Sequence, residues 1–95
     1  MKIIISEAAA ADLGRLHAFL ADKSPAAADR AAVTLVTAIQ SLDLFPERGR
    51  PSGTPNVREL IVPFGRSTYV LRYGYRVAED EVVIIRIWRG REMRD

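Results

Sequence analysis

Val57-Arg58-Glu59-Leu60-Ile61-Val62-Pro63-Phe64-Gly65-Arg66-Ser67-Thr68-Tyr69-Val70-Leu71-Arg72-Tyr73 is the stretch on which the fold of this 95-residue chain turns. Two apolar, β-prone segments flank Pro63-Phe64-Gly65-Arg66. Proline fixes φ and glycine tolerates positive φ, so the chain can reverse there. Val57–Val62 and Ser67–Arg76 therefore read as the arms of a β-hairpin. Along the second arm Tyr69, Leu71, Tyr73, Tyr75 and Val77 alternate with Val70, Arg72, Gly74 and Arg76. This period of two separates an apolar, aromatic face from a mostly basic one. Arg58, Arg66, Arg72 and Arg76 stud the hairpin, either as a solvated sheet face or as a working surface.

Upstream, residues 46–56 contain three prolines, two glycines and no large apolar residue, the composition of a loop. Before it, Ala28, Leu35, Ile39 and Leu42 recur at helical spacing, widened by Ala31, Ala32 and Ala38. Ser24 is placed to cap this helix and Pro25 suits its first position. Pro46 disfavours a helical residue before it, so the helix is expected to end near Phe45. An earlier helix, from Glu7 to Asp22, shows a stripe of Ala9, Leu13, Leu16 and Leu20, with Asp12, Arg15 and Asp22 elsewhere on the wheel. Ser6 caps it and Glu7 complements its dipole. The short break at Lys23-Ser24 implies an antiparallel helical hairpin. Lys2–Ile5 is a first strand. Downstream, Ala78-Glu79-Asp80 turns the chain into a last strand, Glu81–Trp88. Its run Val82 to Ile85 is apolar throughout, as in a strand inside the sheet and covered on both faces. Arg89 to Asp95 form a polar tail.

These elements give an α+β fold of order β-α-α-β-β-β, a helical hairpin packed on a mainly antiparallel four-stranded sheet. The length suits one domain, residues 1–95, and a 48% hydrophobic content supports a core. The chain has no cysteine, which excludes disulfides, thiolate catalysis and cysteine zinc sites. No run approaches the ~20 apolar residues of a membrane helix, and the first apolar run is too short for a signal peptide, so no membrane partner and a cytoplasmic location are expected.

The net charge is only +2, yet six arginines and one acid, Glu59, lie between Arg48 and Arg76. Arginine outnumbers lysine twelve to two. That bias suits bidentate contacts with carboxylate or phosphate, although a genomic preference for arginine codons gives the same ratio. No G-x-S-x-G motif or phosphate-cradling glycine loop occurs. The lone His17 sits near an apolar stripe, where it reads as a boundary residue. Tyr69, Tyr73 and Tyr75 share one strand face, as core packing or as a platform for bases. Trp88 either caps a core edge or anchors a partner segment.

Six pieces occur in an order that resembles the RelE/ParE superfamily of toxins. They are Ala11-Asp12-Leu13; Ser24-Pro25 with Ala27-Ala28; Leu42, Phe45-Pro46 and Gly49-Arg50; Val57-Arg58-Glu59-Leu60; Tyr69-Val70-Leu71-Arg72-Tyr73; and Val83-Ile84-Ile85-Arg86-Ile87-Trp88-Arg89-Gly90-Arg91. The resemblance spans nearly the whole chain and implies the toxin of a type II toxin–antitoxin module, also called a plasmid stabilisation protein. RelE-like members are ribosome-dependent endoribonucleases that cut mRNA. ParE-like members poison DNA gyrase and are not enzymes.

RNA cleavage through the 2′-hydroxyl needs a base, an acid for the leaving oxygen and cations for the charged intermediate state. RelE-like nucleases share a Tyr or His-Tyr near the C-terminus, whereas Trp88 to Asp95 contains no His, Tyr or Lys. Arginine stays protonated and is a poor acid. The resemblance therefore points to a ParE-like gyrase inhibitor, with a RelE-like mRNA interferase acting on ribosome and mRNA as the alternative and a non-toxic binding relative as a third reading. It implies a hetero-oligomer with a cognate ParD-like antitoxin, no catalytic residue, no metal and no cofactor. Target or antitoxin binding falls to Arg58, Arg72, Arg76, Arg86, Trp88, Arg89 and Arg91.

Overall fold

The computed structural model describes residues 1–92. Met93, Arg94 and Asp95, the end of the polar tail, lie outside the described residues. The element order is β1 (Lys2–Ile5), α1 (Glu7–Ala21), α2 (Pro25–Ser41), β2 (Arg50–Pro51), β3 (Val57–Phe64), β4 (Ser67–Arg76), a single 3-10 turn (Val77–Glu79) and β5 (Glu81–Arg89). The strands form one sheet in the order β1-β5-β4-β3-β2, parallel between β1 and β5 and antiparallel elsewhere. Among the described residues no helix is long and apolar enough to cross a membrane.

The helix starts follow from their caps. Ser6 Oγ accepts from the Ala9 amide at 3.0 Å, and Ser24 Oγ accepts from the Ala27 amide at 3.2 Å with Pro25 at the first helical position. Ala9 and Leu16 of α1 and Ala31, Leu35, Ala38 and Ile39 of α2 pack with Leu60, Val62, Tyr69, Leu71, Tyr73, Val82, Ile84 and Ile87 of the sheet. Small alanines on both buried stripes let the hairpin lie close to the strands. The β3–β4 connection has two central residues, Gly65-Arg66, and Gly65 takes the positive φ of +58° that such a tight turn requires.

Two expectations are corrected. The sheet has five strands rather than four, because Arg50-Pro51 pairs with Glu59 and Arg58 at the edge. Proline lacks an N–H and is tolerated only at such an edge, so a two-residue strand inside a Pro/Gly-rich segment leaves no compositional trace. Helix α2 ends at Ser41 rather than near Phe45. Its stripe closes with Leu42, which is fully buried, whereas Leu44 and Phe45 are 78% and 62% exposed. No packing sustains the helix past Leu42, and Pro46 sets only an outer limit.

β5 lies inside the sheet as expected, but its two faces are unequally covered. Val82 and Ile84 are fully buried, while Val83 and Ile85 are half-buried. A bulge interrupts its pairing with β4: Arg72 faces Arg86 while Tyr73 faces Ile84, leaving Ile85 without a register partner. The N-cap residue holds that bulge in place. Ser6 donates its backbone N–H to the Ile84 carbonyl at 3.1 Å and its hydroxyl to the Ile85 carbonyl at 3.0 Å. β1 pairs only as far as Ile84, so the edge of β5 beyond the bulge is left for α1 to cover.

Candidate functional site

On the sheet face opposite the helices, the strand registers align Arg50, Glu59, Arg72 and Arg86 in one row across β2, β3, β4 and β5. Glu59 is the acid of this row and is buried at 7% exposure. Its Oε2 accepts from Arg72 Nε at 3.1 Å and Nη2 at 2.7 Å, and Arg50 Nη2 lies 3.5 Å from Oε1. Burial, the largest influence, pushes the Glu59 pKa up. The hydrogen bonds and charge of Arg72, then those of Arg50, outweigh it and hold the carboxyl below its ordinary range. The Arg72 guanidinium also lies 4.9 Å from the centre of the Trp88 ring.

Arg86 turns away from the row towards α1. Its Nε and Nη2 bond Asp12 at 2.8 and 3.1 Å. Asp12 Oδ2 also accepts the Ile87 amide at 2.8 Å, satisfying the β5 edge that β1 leaves uncovered. Here too burial is the largest influence and raises the pKa, and the bonds from Arg86 and Ile87 with the Arg86 charge and Arg15 bring it below the ordinary value. Arg15 reaches onward to Glu92, whose Oε1 accepts from the Arg89 amide at 2.6 Å. A chain of charge thus links β5, α1 and the segment after β5.

The expected binding residues are therefore not all brought together. Arg58 lies on the helix-side face, opposite to its neighbour Glu59. It donates to the carbonyls of Gly49 at 2.7 Å and Glu47 at 3.3 Å and is 3.8 Å from the Glu47 carboxylate. It works with Tyr73, whose hydroxyl donates to the Pro46 carbonyl at 2.7 Å and accepts from the Gly49 amide at 2.9 Å. Arg76 sits at the far end of β4 and pairs with Glu81 at 3.2 Å and Glu79 at 3.6 Å. Trp88 is buried at 6% exposure, as the cap of a core edge rather than a projecting anchor. The Arg89 guanidinium lies 4.6 Å from the centre of the Phe19 ring on α1. Arg91 is exposed beyond the end of β5.

Tyr69 and Tyr73 are buried under the helices, and burial raises both pKa values above the ordinary phenol range. They are core residues, not a platform for bases. His17 lies between the helices, 3.1 Å from Asp29. Glu59, singled out in the sequence as the one acid among the arginines, is held by Arg72 and Arg50, whereas Asp12, which holds Arg86, was placed off the apolar stripe. For Asp12 a signal existed: Ala9, Asp12 and Leu16 fall on one helical face at spacings of three and four, and all three are buried.

Comparison with known proteins gives a consistent picture. The family model described as ParE toxin of type II toxin–antitoxin system, parDE, matches residues 3–94. The chain is 41% identical over 92 residues to the protein named Toxin RelE1 of Caulobacter vibrioides, covering 97% of this chain and 96% of that one. It is 41% identical over 83 residues to Toxin RelE3 of the same organism, covering 87% of each. Among solved structures, a chain of the chromosomal ParDE TA system from P. aeruginosa superposes with a TM-score of 0.78 at 27% identity, covering 94% of this chain and 95% of that one.

Proposed function

The chain belongs to the ParE toxin family of type II toxin–antitoxin systems, and on that premise we propose that it binds DNA gyrase, traps a cleaved-DNA state and halts replication. The observation that carries this reading is the state of the two carboxylates beside the arginines. Asp12 and Glu59 are each taken up by arginine hydrogen bonds, from Arg86 at 2.8 and 3.1 Å and from Arg72 at 3.1 and 2.7 Å, and neither is a proton donor for a leaving oxygen. The tyrosines of β4 face the helices, away from the Arg50–Glu59–Arg72 row. A strand face without a proton donor suits binding better than cleavage of a phosphodiester. Arg72, Arg86, Arg89 and Arg91 are the residues assigned to the target, with Arg58 and Arg76 acting through the loops and strand ends they hold.

Neutralisation falls to a ParD-like antitoxin in a hetero-oligomer. Exposed Val36 on α2, lining the crevice between the helices, and exposed Val33, lining a concavity with Phe64 of β3, suit the apolar side of an amphipathic segment. Acidic residues on that segment would answer the arginine clusters. A gyrase target and a neutralising partner together place the protein in the cytoplasm.

The second reading, ribosome-dependent mRNA cleavage, is favoured by one observation: the curated relatives carry the name RelE. Adding the purified chain to a gyrase supercoiling reaction and to translating ribosomes separates the two. Loss of supercoiling with intact mRNA is expected. Cuts at codon positions with unimpaired gyrase would replace the first reading by the second.

A further inference from the structure

The turn between β3 and β4 meets the end of β5 in a basic concavity unlike the rest of the arginine surface. The Gly90 amide donates to the Thr68 carbonyl at 2.8 Å. A Cβ at Gly90 would stand 2.6 Å from Thr68 Oγ1, so any larger residue would have to displace the Thr68 side chain. Beside the seam, Arg66, Ser67, Thr68, Arg89, Gly90 and Arg91 line a space of about 180 Å³, and no acidic side chain is among them.

Among the described residues the charge here has no carboxylate partner. Arg58, Arg72, Arg76 and Arg86 each lie against a carboxylate. Arg66 and Arg91 are exposed and form no ion pair among the described residues, and Arg89 rests on the Phe19 ring instead of on an acid. Glu92, the acid next in sequence, is taken by Arg15 and by the Arg89 amide. The hydroxyls of Ser67 and Thr68 stand on the wall as further donors.

We propose that this concavity binds a backbone phosphate of duplex DNA. Two segments of the chain, the β3–β4 turn with Arg66 and the end of β5 with Arg89 and Arg91, supply the arginines of its lining. A carboxylate offers two oxygens in one plane to one fork, whereas a tetrahedral phosphate presents oxygens to several donors at once. The wall contains no aromatic ring on which a base could stack, so the contact reads the backbone and not the sequence. The choice of duplex over single strand rests on the gyrase reading; the phosphate contact itself does not.

The test is fluorescence anisotropy of the full chain with a short labelled duplex DNA and with a single-stranded RNA of equal length, across a salt series. Arg66→Ala and Arg91→Ala are compared with Arg30→Ala, which removes one charge from α2. Each pocket variant is expected to weaken duplex binding about 5- to 10-fold and to lower the log–log salt slope by about 1, as for one lost phosphate contact. Arg30→Ala is expected to change affinity less than about 2-fold. Unchanged binding in both pocket variants, or an equal loss in Arg30→Ala, overturns the site. Binding of the single strand alone overturns the duplex assignment. Duplex binding that depends on Arg66 and Arg91 while gyrase is unaffected keeps the phosphate site and removes the gyrase reading.

Discussion

Asp12 on α1 holds Arg86 on β5 through two hydrogen bonds, at 2.8 and 3.1 Å, and with one of the same oxygens closes the Ile87 amide at 2.8 Å. This buried carboxylate joins helix to sheet where β1 has stopped pairing. It also decides what Arg86 can do, because much of its charge is already answered. Asp12→Ala is expected to destabilise the fold by about 2 kcal/mol, since it orphans a buried amide and a guanidinium together. Asp12→Asn keeps an acceptor for the Ile87 amide and is expected to cost roughly half as much. Urea unfolding of the two variants checks the order.

The acid limb of stability follows from Asp12 and Glu59. Both folded-state pKa values lie below the reference values of 3.8 and 4.5. A depressed carboxyl contributes stability that is fully present above its unfolded pKa and is lost as pH falls through the folded one. Stability is therefore expected to hold near neutrality and to decline as pH drops through and below those reference values. The double variant Asp12→Asn, Glu59→Gln is expected to be less stable at neutral pH and to show a flatter acid limb. An acid limb as steep as that of the wild type would remove these two groups as its source.

Tyr73 and Gly49 form a second joint. The Tyr73 hydroxyl bonds both Pro46 and Gly49, and a Cβ at Gly49 would lie 2.8 Å from that hydroxyl and 3.0 Å from the Glu59 carbonyl. Tyr73→Phe is expected to cost about 1–3 kcal/mol, because it leaves a buried amide without its acceptor. Gly49→Ala is expected to cost a similar amount by displacing the ring. Faster hydrogen exchange at the Gly49 amide in Tyr73→Phe identifies the loop as the part released.

Arg72 is read as a structural partner of Glu59 as well as a binding residue, and the two roles separate in one comparison. Arg72→Ala leaves a buried carboxylate with only Arg50 nearby and is expected to cost about 2 kcal/mol. Adding Glu59→Gln is expected to recover part of that loss. If the rescued double variant remains non-toxic on expression, Arg72 contacts the target directly. If toxicity returns with stability, its role is to hold the sheet.

The residues differ in how plainly the sequence announces them. The hairpin arms, both helix N-termini and the inner position of β5 were legible, because alternation, Ser caps and an apolar run each have one dominant physical cause. The bulge at Ile85 was not. It depends on Ser6, 79 positions away, bonding the Ile85 carbonyl. The pairing of Arg50 with Glu59 was hidden for the same reason, since a two-residue edge strand has no periodicity. The arginines were visible as a cluster, but their partition was not. Neighbours Arg58 and Glu59 point to opposite faces; the register sets Glu59 beside Arg72, the packing of α1 on β5 brings Asp12 to Arg86, and Arg66 and Arg91 stay unpaired among the described residues.

The central claim is that these arginines bind a target and do not cut RNA. The most direct measurement is the amount of linear plasmid DNA released by detergent and protease from gyrase reactions containing the purified chain. Linear DNA that rises with toxin, needs gyrase and falls in Arg91→Ala is the predicted result. No linear DNA from gyrase, together with mRNA cut at codon positions on translating ribosomes, would contradict it.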